Sequence, residues 1–177
     1  ELDRRAYADR SMHLGDLDIW DVPADGLTDS NYLTNRMTDF DPLGAGISDD
    51  IEPGYPKESE ETTHFCVVDA KGNAVSITTT LNGNFGSGIL ADGGSYFLNN
   101  EMDDFSAKPG EPNYYGLIGG EANAIEAGKR MLSSMSPSIV TRNDSLFIVL
   151  GSPGGSTIIT SVLQGILNIT EFKMGAM

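Results

Sequence analysis

The chain has 177 residues, with 11 Lys+Arg against 26 Asp+Glu, a formal net charge of −15, two His and one Cys. This acidity argues against nucleic acid or an anionic membrane as a partner, because phosphate binding needs clustered Lys and Arg; a single Cys excludes a disulfide scaffold within the chain. At 39% hydrophobic residues with 21 Gly, the composition fits about one globular domain rich in tight turns, and no apolar run approaches the ~20 residues of a spanning helix.

The acidity is uneven: residues 1–61 hold 5 Lys+Arg against 16 Asp+Glu, whereas residues 62–177 hold 6 against 10. Leu2 to Leu14 has helical character, and Asp29-Ser30-Asn31 predicts the cap of a helix over Tyr32–Asp39. The run from Glu52 to Glu61, with Pro53, Gly54 and Pro56 among charges, predicts an exposed, extended linker. After it the pattern turns to strands. Phe65–Asp69 and Ala74–Thr80 flank Ala70-Lys71-Gly72-Asn73 as a hairpin, and Pro137–Thr141 with Ser145–Leu150 form a second hairpin around Arg142-Asn143-Asp144. Gly151-Ser152-Pro153-Gly154-Gly155-Ser156 then turns into a helix over Thr157–Ile169, whose apolar residues recur at helical spacing. Hairpins with a helix laid on them suggest a layered α/β sandwich. The chain opens at Glu1 without a basic-then-apolar leader, and it stops without a helix-ending signal, so an interior piece of a longer protein is expected.

Several residues carry possible chemistry. Thr62 stands where the linker meets a strand. A cut before it would free its own α-amine, with a pKa near 8, to take the proton from its hydroxyl; a plain strand-start threonine is the competing reading. His64 invites a Ser-His-Asp arrangement, but on an alternating strand it is equally a packed residue, and the other histidine is His13. Consecutive glycines at a helix start can aim backbone N–H groups at a phosphate or an oxyanion, or simply make a turn. With no Lys after them a P-loop is disfavoured. Asn99–Phe105 holds acids that could bind a metal or an ammonium or stay solvated; without nearby His or Cys, zinc is disfavoured. Ser133-Ser134 offers hydroxyls to a carboxylate, or is a serine-rich turn. Two glycosylation sequons, at Asn143 and Asn168, read as chance, and Cys66 is expected to be buried on its strand.

Taken in order, Thr62-Thr63-His64-Phe65, Thr78-Thr79-Thr80-Leu81-Asn82, Asn99-Asn100-Glu101-Met102-Asp103-Asp104-Phe105-Ser106, Leu132-Ser133-Ser134-Met135-Ser136-Pro137 and Gly151-Ser152-Pro153-Gly154-Gly155-Ser156 resemble the γ-glutamyltransferase (γ-glutamyl transpeptidase) family. The likeness is dense from Thr62 to about Asn168. Before Glu61 it is weaker, where Tyr7–Ser11 and Leu14-Gly15-Asp16 look like the end of a large subunit.

The resemblance implies an α/β (α+β) fold, the αββα four-layer sandwich of N-terminal-nucleophile hydrolases, incomplete in this chain. It divides the sequence into residues 1–61, the end of the large subunit with its linker, and residues 62–177, most of the small catalytic subunit. By resemblance, self-cleavage between Glu61 and Thr62 makes Thr62 nucleophile and general base. Thr80 is the second threonine, hydrogen-bonded to it, and Gly154 and Gly155 form the oxyanion hole. Asn82, Glu101 and Asp104 would hold the α-ammonium of a γ-glutamyl donor, and Ser133 and Ser134 its α-carboxylate. Pro109 to Gly120 looks like a lid with Tyr115 at its gate. The implied substrates are glutathione and other γ-glutamyl compounds, with amino acids or peptides as acceptors and the rest of the large subunit as heterodimer partner. No cofactor and no metal are implied, and the location is periplasmic or extracellular. A cephalosporin (glutaryl) acylase-like enzyme and an inactive fragment or binding module are the alternatives. Glu101, Asp104 and the serine pair favour the first reading over the acylase, because a substrate without an α-ammonium does not need those acids.

Overall fold

The computed structural model describes residues 1–44, 62–113 and 116–175. Among these, residues of 1–44 and 102–132 form one compact unit, and those of 62–101 and 133–175 form another. The expected linker at 52–61 lies outside the described residues. The implied division at residues 61 and 62 is a division of the chain; the compact units cut across it.

The second unit is built from two hairpins and a helix. Strands β1 (Thr63–Val68) and β2 (Ala74–Thr79) pair antiparallel, with Thr63 opposite Thr79 and Val68 opposite Ala74. Their turn is closed by the Asp69 carboxylate, which accepts from the N–H groups of Lys71 (2.8 Å) and Asn73 (2.9 Å) and from Asn73 Nδ2 (2.7 Å). An aspartate that bonds to the backbone just ahead of it is a standard device for reversing a chain. Strands β3 (Ser138–Arg142) and β4 (Ser145–Leu150) pair likewise, around Asn143 and Asp144. Both turn residues have positive φ, 51° and 59°, the geometry of a two-residue turn whose twist matches the strands. The register slips between Val140 and Thr141, and the Arg142 guanidinium lies 3.6 Å from the centroid of the Phe147 ring.

Ser76 Oγ on β2 donates to the Leu150 carbonyl of β4 at 3.0 Å, tying one hairpin to the other. Helix α4 (Ile158–Thr170) follows the glycine turn. It buries Ile158 and Val162, four residues apart on one face, as an amphipathic helix must. A side chain at Gly165 would press on Leu150 Cδ1 at 3.0 Å; glycine there lets the helix sit close to β4. Ile148, Ile158 and Val162 are this unit's buried apolar residues.

The first unit holds α1 (Leu2–His13), α2 (Ala24–Thr28) and α3 (Ser30–Asn35). Asp29 caps α3, accepting from the N–H groups of Asn31 (2.9 Å) and Tyr32 (3.0 Å). The helix therefore starts two residues before the predicted Tyr32, and it ends at Asn35 rather than Asp39. The later residues serve another purpose: Arg5 donates to the Arg36 carbonyl and, at 2.7 Å, to Asp39 Oδ1, while Arg36 pairs with Asp9 at 2.7 Å. These ionic contacts turn the chain back onto α1. Phe105 and Ala122 are the unit's buried apolar residues. No helix among the described residues is long and apolar enough to cross a membrane.

Candidate active site

The two faces of the β1–β2 hairpin differ in chemistry. Phe65, Val67, Val75 and Ile77 share one face, each between 37% and 55% exposed. The other carries His64, Ser76 and Thr78, all half-buried. Side chains alternate along a strand, so Thr62, just before β1, belongs to the polar face. Extending the register by one step sets Thr62 opposite Thr80, just beyond the ends of both strands. Opposed residues of an antiparallel pair lie about 4.5–5.5 Å apart. Both threonines are half-buried.

Past Thr80 the backbone bends sharply. Thr80 Oγ1 accepts from the Asn82 N–H at 2.9 Å, and Asn82 takes a positive φ of 72°, a conformation that asparagine tolerates better than most residues. Asn82 is 4% exposed, and its Nδ2 donates to the Asn100 carbonyl at 3.2 Å. Asn100 answers with its own side chain, Oδ1 accepting from the Gly83 N–H at 2.8 Å. These bonds close the base of the 83–99 loop and hold Asn82 next to the residue that precedes Glu101.

His64 is a packed residue. Its Nδ1 lies 2.9 Å from Thr78 Oγ1 and its Nε2 3.1 Å from Cys66 Sγ. Its ring lies against Gly151, where any added Cβ would collide with it. That contact brings the start of the glycine loop to the face and end of β1 that carry Thr62. Cys66, opposite Ser76 in the register, is exposed, contrary to the expected burial.

The glycine loop needs its glycines. Gly154 has φ 127° and Gly155 φ 53°, values costly for any residue with a Cβ. The Gly154 carbonyl accepts from the Thr157 N–H at 3.0 Å and from Thr157 Oγ1 at 2.8 Å, and the Gly155 carbonyl accepts from the Ile158 N–H. With these carbonyls bonded to the helix start, the loop leads directly into α4 through a backbone path that glycine adopts without strain.

Ser133 and Ser134 lie in an extended segment before β3. Ser133 is exposed and its Oγ accepts from the Met135 N–H at 3.1 Å; the Ser134 carbonyl accepts from Ser136 Oγ at 3.1 Å. Glu101 and Asp104 share one short 3-10 turn, Glu101–Asp104, both half-buried. The Glu101 N–H donates to Asn99 Oδ1 at 3.1 Å. Thus Thr62, Thr80, Asn82, Glu101, Ser133, Ser134, Gly154 and Gly155 all belong to one compact unit, and Asp104 belongs to the other. Tyr115 lies outside the described residues. Around it, the Gly110 N–H donates to the Gly119 carbonyl and the Asn113 N–H to the Leu117 carbonyl, both at 2.9 Å.

The sequence reading missed the residues that fix the backbone at Asp104 and Leu132. Asn123, 6% exposed, donates from Nδ2 to the Asp104 carbonyl at 2.8 Å and accepts at Oδ1 from the Leu132 N–H at 3.0 Å. Arg10 on α1 is pulled below its ordinary pKa by burial and pushed back by the charges of Tyr7 and Asp104. Asp16, whose side chain is 2% exposed, is gripped by Arg130. Arg130 donates its backbone N–H at 2.8 Å and its guanidinium NH2 at 2.5 Å, and these bonds, the guanidinium's first, hold the Asp16 carboxyl far below the usual carboxylate range. The signal in the sequence was a buried-type Asn and an isolated Asp/Arg pair, which become meaningful only when paired across the fold.

The chain is similar to known proteins in sequence and in fold. The family described as Gamma-glutamyltranspeptidase matches residues 1–176. The chain is 52% identical to a protein of Pseudomonas aeruginosa and 52% identical to one of Escherichia coli K12, both named glutathione hydrolase proenzyme, with 98% of this chain covered in each case. It spans 31% and 30% of their lengths. Among solved structures, an acivicin-inhibited γ-glutamyltranspeptidase shares 61% identity at a TM-score of 0.62, covering 64% of this chain and 60% of that one. The Pseudomonas nitroreducens γ-glutamyltranspeptidase complexed with L-DON shares 58% at 0.62, covering 64% and 58%. At these identities the fold is shared, so the hairpins and α4 are part of an N-terminal-nucleophile hydrolase core.

Proposed function

Because the chain belongs to the γ-glutamyltranspeptidase family, we propose that the full-length protein carrying it cuts itself between Glu61 and Thr62 and then transfers or hydrolyses γ-glutamyl groups. The register that opposes Thr62 to Thr80, beside the start of the glycine loop, carries this reading. The relatives' name, proenzyme, is consistent with a chain that must be cut.

The chemistry follows from the groups present. The freed α-amine of Thr62 accepts the proton of its own Oγ1, which attacks the γ-carbonyl of the donor. The Thr80 hydroxyl, its oxygen already fixed by the Asn82 N–H, orients the attacking oxygen. Charge developing on the carbonyl oxygen is met by backbone N–H groups at Gly154 and Gly155. As the C–N bond breaks, the α-ammonium returns its proton to the departing amine, leaving a γ-glutamyl ester on Thr62. Water, or the amine of an amino acid or peptide, then attacks that ester and releases Thr62. Asn82, Glu101 and Asp104 receive the donor's α-ammonium, and Ser133 and Ser134 its α-carboxylate. Charge-assisted bonds of this kind are about twice as strong as neutral ones, so a donor lacking either group leaves the pocket unpaired and is rejected.

Glutathione is the proposed natural donor, and residues 109–120 with Tyr115 the proposed lid. Residues 1–61 are assigned to the large subunit and 62–177 to the small one, in a periplasmic or extracellular enzyme. Intact mass and N-terminal sequencing of the full-length protein test the cut: a new terminus at Thr62 is expected, and Thr62→Ala should abolish both the cut and turnover. Turnover of a γ-glutamyl anilide should exceed that of the glutaryl anilide, which lacks the α-ammonium, by orders of magnitude. Equal rates would favour a glutaryl acylase, and a stable uncut chain would remove the mechanism.

A further inference from the structure

The first compact unit is assembled from both sides of the proposed cut, since residues 1–44 precede Glu61 and residues 102–132 follow Thr62. The two pieces meet along one seam running from Ser11 to Trp20. The Gly120 N–H donates to the Ser11 carbonyl at 2.8 Å. A Cβ at Gly15 would run into the Ala122 carbonyl, so glycine permits the close approach there. Asp16 takes the backbone and guanidinium bonds of Arg130, Asp18 takes a second guanidinium contact at 2.5 Å, and Lys129 Nζ stands 5.7 Å from the Trp20 ring centroid. The two groups at the centre of the seam differ sharply in exposure: the Asp16 side chain is 2% exposed and that of Arg130 is 68%.

The later side of this seam carries the residues that support the donor site. Asn123, next to Ala122, holds the Asp104 carbonyl and the Leu132 N–H, and Arg130 stands three residues before Ser133. We infer that the segment Ser11–Trp20 is a latch that keeps the N-terminal cleavage product on the segment presenting Asp104 and Ser133-Ser134, with Asp16 as its principal positioning residue. This rests on the cut proposed above. Before the cut, covalent continuity helps hold the seam together by keeping the pieces at high effective concentration; after it, only non-covalent contacts hold it, those of Asp16 foremost among them. A buried carboxylate left without its charge, or an arginine left without its acceptor, loses the strongest kind of hydrogen bond in the seam.

The test uses the full-length protein, cut and uncut, the uncut form made with Thr62→Ala. Hydrogen exchange at the Gly120 amide reports the seam at a point Asp16 does not touch. In the cut protein, Asp16→Asn is expected to speed that exchange about tenfold and to raise KM for a γ-glutamyl anilide several-fold with kcat nearly unchanged. In the Thr62→Ala protein the same substitution should leave the Gly120 amide much closer to its parent. Should Asp16→Asn fail to fold, Arg130→Gln, at a mostly exposed side chain, gives the same readouts. Normal cutting with an unchanged Gly120 amide and unchanged KM overturns the latch alone. A protein that never cuts overturns the proposed function, and the latch with it.

Discussion

In the unit of residues 62–101 and 133–175, strands pair with their nearest neighbours in sequence: β1 meets β2 across an Asp69–Asn73 turn, and β3 meets β4 across two residues. In the unit of residues 1–44 and 102–132, the central bond joins Asp16 to Arg130, 114 residues apart. The first unit's central bond is therefore a long-range ionic contact, whereas the second's strands are paired by local turns, its hairpins then tied by Ser76–Leu150 and an apolar seat under α4. The proposed chemistry that needs fixed backbone, with Thr62 opposed to Thr80 and a positive-φ glycine turn, lies in the locally built unit. Asp104, the acid proposed to face the donor, lies in the other, where after the proposed cut continuity of the chain would no longer hold the pieces together.

The sharpest way to break this comparison is at the glycine turn. Gly155→Ala forces a side chain onto a φ of 53°, and is expected to turn the adjoining N–H away from the proposed oxyanion. We expect kcat for a γ-glutamyl anilide to fall on the order of 100-fold with KM little changed. Gly128→Ala, in the other unit, is the control: its φ is 78° with open space around a Cβ, so it carries the backbone strain and should leave kcat within about twofold. Equal losses would make strain, not lost donors, the cause.

The next contrast is in how the units are stabilised. Ile158 is 2% exposed, and Ile158→Ala should cost about 2–5 kcal/mol in denaturant unfolding, the usual penalty for emptying a core site. The loss should fall on β3, β4 and α4, with amides at Gly120 and Arg130 retaining their protection. A uniform loss would show that the two units unfold together.

Acid sharpens the comparison from the other side, with a smaller effect. Asp16 titrates below its unfolded value of about 4, because Arg130 favours its ionised form. A lowered folded pKa gives stability that is complete above the unfolded pKa and drains away as pH falls through the folded one. Protection at Gly120 should hold from neutrality to about pH 4 and decline below it, and Asp16→Asn should flatten that decline. An unaltered acid profile in the variant would assign the loss to other carboxylates, such as Asp39 beside Arg5.

Much of the locally built unit was legible in the sequence. The β-rich runs Phe65–Asp69 and Ala74–Thr80 predicted both strands and the hairpin that joins them, while the register came only with the structure. That register is what opposes Thr62 to Thr80. Ile158, Val162 and their repeats predicted α4 to within a residue. The length of α3 was misread because Arg36 and Asp39 are drawn off the helix by partners on α1, and Cys66 because strand periodicity says which face a side chain takes but not whether anything covers it.

What the amino-acid order determined unaided was therefore whatever depends on neighbours a few positions away: hairpins, caps, the glycine turn into α4 and the family likeness of five short motifs. Folding in three dimensions alone decided that His64 would back the glycine loop, that Asn123 would hold Asp104 and Leu132 together, and that a solitary aspartate near the start would find an arginine 114 positions later. The reason is physical. Local geometry is set by sterics and hydrogen bonds inside a single turn, whereas a long-range charge pair exists only once the chain has closed and brought its two partners within reach.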